Sequence, residues 1–127
     1  MTSVPCLETF VVLRPGDPGG PGWVEATSIG EVEEFARAGH TVVVTPARLA
    51  AVASPAPPAP SGDLGEAGEA ARERDAEAAE LTAASICAWA GARAFRTNRV
   101  EQVRLAVEMT DALAGRRPPA LTRRGLA

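Results

Sequence analysis

The sequence predicts an α/β protein built on a small, three- to four-stranded, mostly parallel sheet with helices covering it. Three observations carry that expectation. Residues 41–45 (TVVVT) are a β-branched run between a glycine–histidine turn and a proline, the pattern of a buried strand. Residues 83–96 pass from a small-residue apolar helix through Gly91 into a short strand, a tight step typical of α/β units. Residues 98–114 then return to helical spacing, with Val100, Val103, Ala106, Val107, Thr110 and Leu113 three and four apart. Strands at 9–13, 41–45 and 92–96 are expected to be parallel, with helices at 28–38, 66–90 and 98–114 as right-handed crossovers and cover.

Along the chain, residues 9–13 (TFVVL) combine β-branched and aromatic side chains and read as the first strand. Residues 14–22 (RPGDPGGPG) are punctuation for a turn or loop. Their prolines remove the N–H donors that a phosphate cradle needs. Residues 23–26 (WVEA) read as a short second strand, paired with the first as a hairpin. Ser28 with Glu31 three residues later forms a capping box, and the helix it starts ends near Gly39. His40 follows; it reads as a helix-end or loop residue more readily than as a base or ligand, because nothing nearby partners it. Pro46 suits the first position of a helix over 47–52.

Composition divides the rest. Residues 1–53 form an N-terminal βα half, and 54–65 a Pro/Ala-rich linker. Residues 66–115 form a helix–strand–helix half, and 116–127 a basic tail. The acidic, alanine-rich stretch 66–79 has high helix propensity and reads as a solvated face that merges into the buried helix at Leu81. Gly91 is the expected helix terminator, since a residue past a helix end often needs positive φ. Thr97 or Asn98 caps the last helix, Asn98 forming a box-like pair with Glu101.

The net charge of −3 argues against nucleic acid as a partner. All thirteen basic residues are arginine, and there is no lysine. That removes Schiff-base chemistry and the Walker-type phosphate lysine. Cys6, Cys87 and His40 are too few for a zinc site, and Cys87 reads as a small buried hydrophobe. The first ten residues lack the basic start and apolar core of a signal peptide, and no apolar run reaches membrane-spanning length. A cytoplasmic protein with no membrane partner and no cofactor is expected. The small sheet leaves edges, which makes a homodimer a reasonable expectation.

Function points to the strand ends. Ligands of parallel α/β folds bind at the carboxyl ends of strands, and helix N-termini favour anions. Arg96 ends the last strand, Asn98 opens the helix after it, and Thr45 ends the central strand. Together they read as ligand-binding residues for an anion. The commoner reading of such an arginine is a pair with a surface carboxylate.

Residues 89–93 (WAGAR), the Phe95-Arg96 pair and the helix opening at 100–109 (VEQVRLAVEM) resemble the C-terminal end of dihydropteroate synthase. The resemblance covers about the last third of the chain. It implies a (β/α)8 pterin-binding fold whose last strand ends in an R-V-H-D type motif that helps hold the pterin and its pyrophosphate. Arg96 matches the arginine; Asn98 stands at the histidine position and Arg99 at the aspartate position. The lysine that the family uses to bind the pterin has no counterpart. Residues 42–46 (VVVTP) are loosely similar to the family's first-strand N-V-T-P-D-S motif. Its asparagine, aspartate and serine are missing here, so no role is carried over. At 127 residues the chain is about half the length of such a barrel, so partial TIM-barrel-like βα units are the alternative to an open sheet. The resemblance thus implies a non-catalytic, truncated relative that binds a pterin or another anionic small molecule at the end of the last strand. The alternatives are a small enzyme of another kind, for which no acid–base pair has recognisable spacing, and a protein-interaction or structural module with no small-molecule ligand.

Overall fold

A computed structural model describes residues 10–53 and 65–116. The linker residues 54–64, the tail beyond Arg116, and Thr9 and Cys6 near the start lie outside the described residues. In order the elements are β1 (Val11–Leu13), β2 (Val24–Glu25), α1 (Ile29–Arg37), β3 (Val42–Val44), α2 (Pro46–Ala53), α3 (Gly65–Ala90), β4 (Ala94–Arg96) and α4 (Val100–Leu113). The four strands form one sheet in the order β1-β4-β3-β2, and every pairing is parallel. The fold is α/β, with a small parallel sheet covered by helices.

Each strand lies where β-branched or apolar residues cluster, and each helix starts where the chemistry of its first turn supports it. Ser28 Oγ accepts the Glu31 N–H at 3.1 Å, so the capping box at the start of α1 forms. Glu31 returns its carboxylate to Thr27, accepting from the backbone N–H at 2.8 Å and the hydroxyl at 3.0 Å. Pro46 is the first residue of α2, where its missing N–H costs nothing. Gly91 has φ of 122°, and a Cβ there would stand 2.7 Å from the Ala36 Cβ. Only glycine permits both that backbone turn and the close approach of α1.

Side chains alternate across a strand, so the sheet has two distinct faces. Val42, Val44 and Phe95 point to the face where α1, α3 and α4 pack, meeting Val32, Ala84, Cys87, Val103 and Val107 in one core. Both halves of the chain contribute to that core. Cys87 is buried there, and burial pushes its thiol up to about 11. Val43 and Ala94 point to the other face and are buried as well. That face is crossed by the Gly/Pro-rich residues 14–23, which carry the chain from one edge strand to the other. Arg96, alternating with Phe95, lies on the same side and donates to the Asp17 carbonyl at 3.3 Å. Trp23 packs against the loop so closely that a Cβ on Gly20 would stand 2.4 Å from its ring.

This loop overturns the expected hairpin. β1 pairs with β4 and β2 with β3, so the first two strands occupy opposite edges. Hairpin loops run to about two to five residues, whereas the connection here spans 14–23. Its length suits a crossing of the sheet. The opening of α4 also differs from the expected Asn98–Glu101 box. Arg99 is the N-cap residue and makes no side-chain capping bond. The Thr97 hydroxyl instead accepts the Arg99 N–H at 2.9 Å, while Asn98 is exposed. Thr97 is fixed from beneath by buried Glu80, which holds its hydroxyl at the helix start.

Candidate functional site

Parallel strands leave all their carboxyl ends on one edge of the sheet. The connection after β1 goes to the loop-covered face, and the connection after β4 goes to the helix-covered face. The gap between β1 and β4 is therefore the switch point of the sheet, whereas the cleft at this carboxyl edge opens farther along, after β2 and β3. The Thr97 N–H donates to the Leu13 carbonyl at 2.9 Å and closes the strands over the switch point.

Arg96 ends β4 beside the gap. Its guanidinium lies 3.6 Å from Glu25 Oε2, and Glu25 is half-exposed at the end of β2. Thr45 follows β3 on the neighbouring strand. It lines a cleft of about 370 Å³ together with Glu25, Thr27, Arg48, Leu49 and Val52. Glu25 thus joins the two predicted residues: it pairs with Arg96 on one side and lines the cleft with Thr45 on the other. Asn98 is exposed toward the start of α4 and is not part of that wall. The structure gathers Arg96 and Thr45 at one edge and leaves Asn98 to one side.

Arg48 was not singled out by sequence reading. It sits in the first turn of α2, exposed, and among the described residues no carboxylate pairs with it. Its signal lay in plain view, three residues beyond Thr45 on the helix that follows a buried strand. The Thr45 hydroxyl, this guanidinium, the Glu25 carboxylate and an apolar floor of Leu49 and Val52 line the cleft, while the Thr27 hydroxyl is taken up by Glu31. The start of α1 offers no competing seat, because Glu31 already fills it. The Thr27 N–H and then its hydroxyl hold the Glu31 carboxyl below its ordinary value.

A further arginine at this edge, Arg99, is fully engaged. Arg99 donates to Glu80 and to Glu73, two carboxylates seven residues apart on α3. Glu80 is 2 % exposed and also accepts the Thr97 hydroxyl. The bond to Glu73 is the main cause that raises the Arg99 pKa above its ordinary value, with Glu80 adding to it. Residues 66–79 are largely exposed, as expected, but Glu73 from that stretch and Glu80 just beyond it share one side of α3 and clamp Arg99. Spacing of seven residues, two turns of helix, was the available sign.

His40 lies at the opposite, amino edge of the sheet. Its backbone N–H closes α1 on the Phe35 carbonyl at 3.0 Å, and its ring stands edge-on to Phe35. Among the described residues, no group of three or more His, Cys, Asp or Glu is arranged to hold a metal, and no helix is long and apolar enough to cross a membrane. A scan of family models, a search of curated proteins and a search of solved structures each give no match to this chain.

Proposed function

We propose that this chain is a non-catalytic binding protein that takes an anionic small molecule at the carboxyl edge of its sheet. The observation that carries the reading is the Arg48 guanidinium, which has no carboxylate partner among the described residues and stands on a cleft with Thr27 and Thr45. Arg96 reaches the edge of the same site through Glu25, and Asn98 lies outside the cleft wall, exposed ahead of α4. A pterin pyrophosphate is the ligand that the likeness to dihydropteroate synthase suggests. Side-by-side strands β2, β3 and β4 with helical crossovers on one face are consistent with that likeness. The long β1–β2 crossing departs from it. The absence of lysine removes the family's pterin-binding lysine, which is why the reading is binding without synthase chemistry. The proposal includes self-association, since β1 and β2 are edge strands.

Calorimetric titration with a pterin pyrophosphate and with inorganic pyrophosphate tests this. Binding of the pterin pyrophosphate, weakened about tenfold or more in Arg48→Ala and less in Arg96→Ala, is expected; removing one charge-assisted bond costs about 1.5–3 kcal/mol. Equal binding of both compounds would assign the site to the pyrophosphate alone. No heat with either would refute the anion reading. A protein-interaction module is the second reading, favoured by a row of exposed apolar side chains on α4.

A further inference from the structure

The cleft that holds Arg48 continues past its apolar floor. Thr27, Leu49 and Val52 line it and also line a second hollow of about 490 Å³. That hollow is a groove between α2 and α3, with Leu49 and Val52 on one wall and Ala79, Ala83 and Ile86 on the other. The last three are four and three residues apart, so they share one face of α3. The α3 wall runs from Ala78 to Ile86, about 12 Å of helix. Hydroxyls at the α1 end of the groove are already engaged: Thr27 donates to Glu31 at 3.0 Å, and Ser28 Oγ accepts the Glu31 N–H at 3.1 Å. Val52 and Ile86 are 79 % and 48 % exposed, so the apolar walls stand open to water.

We infer that this edge takes a second class of ligand, a medium-chain alkyl carboxylate, with its head at Arg48 and Thr45 and its chain along the groove. The inference rests on the reading of Arg48 as an anion's seat. Charge selects this occupant. The guanidinium lines the cleft at one end of the continuous hollow, and no charged residue lines the groove beyond it. An amphiphile with one anionic end matches that division. A single charge also suits a cleft that Glu25 shares, because Arg96 offsets that carboxylate only from 3.6 Å. Methylenes need no partners from alanine walls. The ring nitrogens of a heterocycle would give up hydrogen bonds to water there without replacement. The volume of the groove lies in the range of small-molecule sites.

Calorimetry on the full chain with butanoate, hexanoate, octanoate and decanoate, each below its micelle concentration, tests the inference. Octanol and inorganic pyrophosphate are titrated beside them. Full burial of a methylene strengthens binding about fourfold, and a groove open on one side covers about half of each. Affinity is therefore expected to rise about fourfold for every two carbons added. Arg48→Ala is expected to weaken decanoate about tenfold. Thr82→Trp, at an exposed position on the groove wall, is expected to flatten the series, with circular dichroism and pyrophosphate binding unchanged. Affinities that do not rise with chain length, while pyrophosphate still binds, overturn the inference and leave the anion seat standing. A rise that survives Thr82→Trp places the chain elsewhere and overturns it too. Octanol that binds as tightly as octanoate, in a series indifferent to Arg48→Ala, overturns it and removes Arg48 from the seat. No binding of any compound removes both readings.

Discussion

The two edges of the sheet use arginine in opposite ways. At the amino edge, Arg93 straddles Asp111 with bonds of 3.1 and 3.2 Å and also donates to the carbonyls of Ala88 and Ala92. Arg116 joins the same carboxylate at 3.1 Å and reaches the Ala88 carbonyl at 2.8 Å. Asp111 is 1 % exposed, and every oxygen it has is in use. This cluster bolts the end of α3, the start of β4 and the end of α4 together. At the carboxyl edge three arginines form a graded series instead. Arg99 is consumed by two carboxylates, Arg96 rests at 3.6 Å on a half-exposed one, and Arg48 has none among the described residues. A charge anchored on a buried partner holds the fold. A charge left on a cleft wall is available to a ligand.

The largest expected effect comes from the anchored end. Asp111→Ala strands two guanidinium groups and should lower stability by about 3 kcal/mol, the low end for a broken buried pair because both arginines keep contact with water. Urea unfolding measures it, and a loss below about 1 kcal/mol would mean that the cluster is ornamental to the fold. Glu80→Ala should come next, at about 2 kcal/mol, by leaving the Thr97 hydroxyl and one arm of Arg99 without their acceptor. Its second consequence is local: faster amide exchange at Arg99, whose N–H bonds the Thr97 oxygen.

How far these roles could be read from the sequence depends on whether their causes are local. The Ser28–Glu31 box, the Pro46 start, the TVVVT strand and the Gly91 turn all follow from a few adjacent residues, and all are present. Strand order is not local. The Gly/Pro run of 14–22 reads equally as a turn or as a long crossing until its length is weighed, and the hairpin expectation failed there. Glu80 sits in an alanine-rich acidic helix where solvated carboxylates are the rule, and only Thr97 and Arg99, on the turn between β4 and α4, mark it as a buried acceptor. Arg96 and Thr45 were legible as strand-end residues. Arg48 was not, because an unpaired arginine is identified by the carboxylates that fail to reach it.

The smaller effects sharpen the contrast from the other end. Arg96→Ala should cost at most about 1 kcal/mol, since its ion pair is long and open to water. Arg48→Ala should change stability by no more than about 0.5 kcal/mol, as for a surface site, while still weakening the ligand. A large loss of stability in either would move that arginine into the structural class. The pH effect is the smallest. Glu31 has a folded pKa below its ordinary 4.5, so its contribution is present above that value and is lost as pH falls through the folded pKa. Thr27 amide protection followed against pH should show this loss in the wild type and no such step in Glu31→Gln.

Backbone amide shifts recorded while a pterin pyrophosphate is added test the central claim most directly. Shifts concentrated at Glu25, Thr27, Thr45 and Arg48, with Arg93, Asp111 and Arg116 unmoved, are the predicted result. Shifts centred on the amino edge, or none at any residue, would contradict the assignment of the carboxyl edge as the ligand's seat.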